Sequence, residues 1–281
     1  MIPKPRQVGF RDGLTWLPAA ASLLTGRLGP VAGIAALWLL VSIVAIAIPL
    51  LGQVALVLFT PMLTAGVLLA FDQIRRGLTP TPFILFAGWK DPSRRVALLV
   101  VGAWSLLGSL LAAMILASWL GGQLSPEQLE AAMADPEQMA EALRGVDIGG
   151  GLALAVAAMS LVLAGMYFGI PLIVFANRPA MPSLLNSLRA VLVNWAAFAG
   201  LVLSVILLAL GIGVIVILAV TVLGLALGAA GTMLAQVLVL LVTMLIQVLM
   251  AGTQYVAFQR VYGSGAGDAG ESERSDDQLV A

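Results

Sequence analysis

The chain has no cysteine and no histidine. The first absence excludes disulfides and thiol nucleophiles, the second excludes imidazole acid–base chemistry, and together they exclude Cys/His metal sites. Charge is scarce as well. Only 10% of the 281 residues are charged, 14 of each sign, so the net charge is zero. The basic residues are dispersed, which gives nucleic acid no footprint. No ionisable residue falls in the middle of a long apolar run, where ion- and proton-coupled carriers place one. Intramembrane proteolysis would need two buried aspartates, or a serine with a His or Lys base, and neither set is offered. No phosphate-binding loop appears. The residues therefore predict no enzyme, no cofactor and no metal.

What is present is hydrocarbon. Hydrophobic residues make up 61% of the chain and the mean hydropathy is +1.06, more than a water-facing surface can carry. A membrane crossing takes about 20 apolar residues. The uncharged runs are 28–71 (44 residues), 96–126 (31), 148–177 (30) and 190–259 (70). The first fits two crossings with a tight turn near 49–53, and the next two fit one each. The last fits either two helices of about 33 residues, about 50 Å long at 1.5 Å per residue, or three ordinary crossings. Thirteen of the 14 Lys and Arg fall before residue 28, within 72–95, at 178 and 189, or from 260 onward. Those segments share one side only if the last run crosses an even number of times. By the positive-inside rule that side is the cytoplasm.

The expectation is an all-α polytopic transmembrane bundle forming a single domain over residues 1–262. Its six spans fall at about 31–49, 53–72, 96–119, 150–176, 190–222 and 229–259. The last pair is expected to be long, tilted or broken near 224–231. Both termini are cytoplasmic, and the acidic loop 121–149 lies outside. Lys4, Arg6, Arg11 and Arg27 precede a run too long for a signal peptide, so the first span is expected to be an uncleaved anchor.

Three segments read as cytoplasmic-side surface pieces, each preceding a span. In 9–27, Arg11, Thr15, Ser22 and Thr25 share one helical face and Leu14, Leu17, Ala21 and Leu24 another, with Trp16 and Leu23 off the pattern. Phe83 to Trp89 is apolar but too short to span. In 182–195, Ser183, Asn186, Ser187 and Asn194 oppose Leu184, Leu185, Leu188, Leu192 and Trp195. The pattern suggests a repeat of three units, each a surface helix and a transmembrane hairpin. The hairpin ends AGVLLAFDQIRRG (65–77) and AGTQYVAFQRVYG (251–263) are alike. In the outside loop, SPEQLEAAMA (125–134) and DPEQMAEALRG (135–145) carry helix N-terminal signals. The tail 263–281 has a disordered composition.

Two constellations are candidate sites. Arg75, Arg76, Lys90, Arg94 and Arg95 form basic elbows at the membrane edge. Each cation could add about 1 kcal/mol of attraction to an anionic leaflet. Alternatively the elbows only fix topology, with Asp72 pairing to Arg75 or Arg76 at helical spacing. The second constellation is Thr232, Gln236, Thr243, Gln247 and Gln254, spaced 4, 7, 4 and 7 and so within about 60° of one helix face. Amides in hydrocarbon need partners. The stripe is either interhelical glue or the wall of a polar cavity. GMYFG (165–169) and GLALG (224–228) permit close helix approach. The acidic loop is a cation or partner site, or a solvated cap.

FTPMLTAGVLLA (59–70), LFAGW (85–89) and YFGIPLIVFA (167–176) followed by PSLLNSLRAVLVNWAAF (182–198) are the most distinctive stretches. They resemble a family of uncharacterised multi-pass inner-membrane proteins of proteobacteria. In that family a proline-bearing span precedes an LFAG[FW] segment, and an aromatic-Phe-x-x-Pro span precedes a Ser-rich helix ending in Asn-aromatic. The resemblance covers roughly residues 55–105 and 165–200. The chain departs from it in the longer last pair of spans and the acidic loop. It implies a helical fold in the bacterial inner membrane and no particular activity. The reading that follows is a non-enzymatic scaffold, assembly or lipid-associated membrane protein. Membrane lipids, and a membrane protein partner, are its expected contacts. Oligomeric state is not set by the sequence. The alternative is a permease for an uncharged or amphipathic solute, supported by the stripe and by Pro61 and Pro171 within spans.

Overall fold

The computed structural model describes residues 4–125, 130 and 146–263. These residues are helical, with no strand among them. The elements are α1 (Phe10–Leu23), α2 (Leu28–Ile46), α3 (Leu51–Arg75), a 3-10 segment (Pro82–Trp89), α4 (Pro92–Gly121), α5 (Ile148–Ala176), α6 (Ala180–Val193) and α7 (Trp195–Tyr262). Five of them, α2, α3, α4, α5 and α7, are long and apolar enough to cross a membrane. The two loop helices expected at 125–145 and the tail beyond Gly263 lie outside the described residues.

Helix α7 runs for 68 residues with one break, at Gly228 (φ 57°, ψ −132°). A side chain does not tolerate that conformation, and glycine does. The chain reverses there. Gly231 packs against the Leu223 carbonyl, and Val220 shares a groove with Val239 and Leu240. A continuous helix would hold residues 220 and 240 about 30 Å apart. The two arms are therefore an antiparallel hairpin. The turn between α2 and α3 occupies 47–50, earlier than the expected 49–53, because α3 already starts at Leu51 and Gly52 packs under the Ala45 carbonyl.

Packing is uneven along the helices. The fully buried side chains, among them Trp16, Leu63, Phe71, Phe168, Tyr255 and Phe258, gather where α1, the 3-10 segment and α6 meet the ends of the long helices. Edge-on aromatic contacts tie that base together: Trp16 to Phe198 (5.5 Å), Phe198 to Phe168 (5.8 Å) and Phe168 to Tyr262 (5.5 Å). Each such pair contributes about 0.5–1.5 kcal/mol beyond its buried area. Polar ties join the same region. Ser204 Oγ donates to the Leu14 carbonyl, Arg260 donates to Thr15 Oγ1, and the Tyr262 hydroxyl donates to Asn186 Oδ1. Away from the base, Met114, Leu154, Val214, Ile215, Leu225 and Met233 are more than half exposed. Water would penalise that surface, whereas lipid tails are as apolar as the side chains themselves.

The short elements depart from the sequence pattern in α1 and α6, while Phe83 to Trp89 does not span, as expected. In α1 the buried face is Gly13, Trp16, Leu17 and Ala20, while Ala21, expected among the apolar face, is exposed. Trp16 anchors the helix because its ring reaches Phe198, a contact no helical wheel contains. The segment Phe83 to Trp89 is a 3-10 helix lying on α3, with Leu85 fully buried. A methyl group at Gly66 would come within 2.3 Å of the Leu85 carbonyl, so only glycine admits this approach. In α6 the polar face is the buried one. Ser183, Ser187 and Asn194 are inside together with Leu184, which the pattern had placed on the opposite face, while Leu185, Leu192 and Trp195 are 62%, 61% and 70% exposed. In hydrocarbon the polar groups are the ones that need protein partners.

Candidate functional site

The basic elbows separate into paired and unpaired cations. Asp72, buried in the last turns of α3, accepts a hydrogen bond from the Tyr255 hydroxyl (2.9 Å) and so ties α3 to α7. Arg76 lies 2.8 Å from the same carboxylate and Arg75 3.6 Å. The Arg75 guanidinium also sits 5.8 Å from the centre of the Tyr255 ring. Both pairings foreseen for Asp72 are thus present. On their exposed side such pairs contribute about 0–1 kcal/mol. Arg94 pairs with Asp91 (3.3 Å), the N-cap of α4. The Ser93 hydroxyl and N–H bond to Asp91, and with Arg94 nearby they hold its carboxyl below the usual value. Lys90 and Arg95 are exposed, and no acid pairs with either among the described residues.

Two of the five share a site among the described residues. Arg76 and Lys90 line a cleft of about 670 Å³ between α3 and the 3-10 segment, together with Asp72, Gln73, Thr79 and Thr81. Leu69, Leu78, Phe83, Ile84 and Ala87 form its apolar walls. Local sequence builds it. Gly77 turns the chain with φ +80° after α3. Arg27 donates to the carbonyls of Gly77 and Leu78 and pins the returning loop. The cleft therefore offers one unpaired cation, Lys90, a second, Arg76, that shares its charge with Asp72, and two hydroxyls beside an apolar wall, a combination suited to an anionic amphiphile.

The stripe on the second arm of α7 meets three environments. Thr232 and Thr243 are exposed and bond back to the carbonyls of Ala229 and Val239. Gln236 is exposed and Gln247 half-buried, and neither side chain has a partner among the described residues. Gln254 is buried, and its Nε2 donates to the Tyr167 carbonyl at 2.5 Å. That carbonyl is an orphan of Pro171, which has no N–H to return to residue 167. Three further polar residues hold the base. Ser187 Oγ donates to the Ala164 carbonyl (2.6 Å) and accepts from the Phe168 N–H (2.8 Å), the two ends of one helical rung of α5. Asn194 Oδ1 accepts from the Val8 N–H (2.7 Å). Gly165 and Gly169 of GMYFG lie under Leu184 and let α6 reach α5.

No family model, curated protein or solved structure matches this chain. Function is read from the residues themselves. The sequence singled out the charges of the cleft and the glutamines of the stripe. Thr79 and Thr81 carried no such signal, and Ser187 and Asn194 were marked as one polar helix face without the partners they take. The stripe spacing marked Gln254 without its partner, and the cue for that partner was the proline in a neighbouring span, since a proline deep in a helix frees a carbonyl.

Proposed function

We propose that this chain is a non-enzymatic, lipid-associated scaffold of the bacterial inner membrane. It crosses six times, α7 supplying two of the crossings, with both termini and the packed base in the cytoplasm and 121–149 outside. The observation that carries the reading is the cleft that Arg76 and Lys90 both line. Every other Lys and Arg among the described residues belongs to the same basic segments at the helix ends, the arrangement the positive-inside rule associates with a cytoplasmic face. A phosphate headgroup in the cleft would meet Lys90, the Thr79 and Thr81 hydroxyls and the outer side of the Arg76 guanidinium already paired with Asp72, with its acyl chains beside Leu69 and Phe83. The bare faces of the hairpins serve as lateral surface for lipid and for a membrane protein partner. The order supports three repeated units: α1 with α2–α3, the 3-10 segment with α4–α5, and α6 with the α7 hairpin. The test is lipid retention. Arg76→Gln with Lys90→Gln should carry less phosphatidylglycerol through purification than the parent, and equal retention would refute the cleft.

A second reading, a permease for an uncharged or amphipathic solute, draws on one observation. Thr232 and Gln236 face Val220 across a groove of about 630 Å³ in the α7 hairpin. Labelling of single cysteines at 236, 243 or 247 by a water-soluble thiol reagent would favour it. Silence at all three in folded protein favours the scaffold.

A further inference from the structure

We propose a second anion site, for the phosphate of an anionic phospholipid, where Lys4, Asn186 and Arg189 line one groove of about 690 Å³ with Leu185 and Val193. It shares no residue with the Arg76–Lys90 cleft and does not depend on that cleft binding lipid. The groove is built by the segment preceding α1. Its Arg6 N–H donates to the Val261 carbonyl (2.9 Å) and its Val8 N–H to Asn194 Oδ1 (2.7 Å). Asn194 is itself buried and fixed by its Nδ2 donating to the Ala190 carbonyl (2.9 Å). Two anchors two residues apart hold this strap across the junction of α6 and α7, and they carry Lys4 over α6.

The donors in the groove are uncommitted. Among the described residues no carboxylate pairs with Lys4 or Arg189, in contrast to Arg75, Arg76 and Arg94. Asn186 Oδ1 already accepts from the Tyr262 hydroxyl (3.2 Å), which leaves its amide N–H groups as the free end. A phosphodiester carries one negative charge and accepting oxygens, and two cations with one amide donor match it. The apolar wall selects the lipid over free phosphate. Leu185 and Val193 belong to the exposed apolar face of α6, where an acyl chain would lie directly beneath the headgroup.

The experiment is native mass spectrometry of the full chain in detergent, titrated with phosphatidylglycerol, phosphatidylcholine and inorganic phosphate. It is run in the parent and in the Arg76→Gln, Lys90→Gln background, so that each site is read without the other. In that background phosphatidylglycerol should still bind in preference to phosphatidylcholine. Adding Lys4→Gln and Arg189→Gln should weaken its binding roughly twenty-fivefold, from about fivefold per cation. Asn186→Asp should weaken it too, by turning the donor into an anion, and Arg189→Lys should retain it. Unchanged thermal unfolding by circular dichroism shows that each variant is folded. Undiminished phosphatidylglycerol binding after Lys4→Gln and Arg189→Gln would overturn the proposal. So would complete displacement of the lipid by inorganic phosphate at equal concentration, which would make the site one for free phosphate.

Discussion

Replacing Gln254 by leucine tests how the base of the molecule is held. Pro171 interrupts the hydrogen-bond ladder of α5 and frees the Tyr167 carbonyl, and Gln254 Nε2 fills the vacancy at 2.5 Å. Leucine keeps the volume and removes the donor. An average interhelical hydrogen bond in a membrane contributes about 0.6 kcal/mol. A buried carbonyl left without any partner costs more, about 1–3 kcal/mol. Gln254→Leu should therefore destabilise by about 1–2 kcal/mol. Gln247→Leu, on the same helix face but without a partner among the described residues, should be neutral or slightly stabilising. The decisive comparison is a double-mutant cycle. Pro171→Ala restores an N–H at position 171, which can close the ladder on the Tyr167 carbonyl. In that background Gln254→Leu should lose at least about 0.5 kcal/mol of its effect. Equilibrium unfolding in mixed micelles, followed by circular dichroism, supplies all four corners. Equal costs for Gln254→Leu and Gln247→Leu, or no change of cost in the Pro171→Ala background, would refute the assignment.

Further predictions concern the other polar ties. Tyr255→Phe removes a hydrogen bond to the Asp72 carboxylate and should cost about 1.5–3 kcal/mol in the same assay, whereas Arg75→Gln, whose pairing is exposed, should cost less than about 1 kcal/mol. Ser187→Ala leaves the Ala164 carbonyl and Phe168 N–H without the hydroxyl between them and should cost about 1–3 kcal/mol. A neutral result would mean that the α5 rung closes by itself. Asp91 has a lowered pKa in the fold, so its contribution is complete above the ordinary carboxylate value and is lost as pH falls through the lower folded value. Asp91→Asn should accordingly flatten the loss of stability expected below about pH 4, and an unaltered acid limb would count against the cap.

The residues differ in how much of this they disclose. Long uncharged runs announce the long helices, because every backbone polar group in lipid must be paired internally and a helix does so without help. Gly228 could be located within a short glycine-containing stretch because a run of 70 uncharged residues exceeds any bilayer. The orientation of α6 was not legible. Its wheel divides Ser187 and Asn194 from Leu185 and Leu192 cleanly, but which face turns inward depends on the surrounding solvent, and here the serines are inside. Trp16 broke the α1 pattern for a related reason, since its partner Phe198 lies far along the chain. The elbows showed five cations. The fold of the 3-10 segment onto Gly66 puts Arg76 and Lys90 on the walls of one cleft, and no spacing rule reports that approach.

The central claim, a six-crossing chain with its basic packed base in the cytoplasm, is tested most directly by sidedness. The chain has no native cysteine to remove, so single cysteines can be placed at Gly77, Ala180, Gly263, Gly122 and Ala230 and labelled in intact cells with a membrane-impermeant thiol reagent. The account predicts labelling at Gly122 and Ala230 from outside, and protection of Gly77, Ala180 and Gly263 until the cells are opened. External labelling at Gly263 would make the number of crossings odd and contradict it.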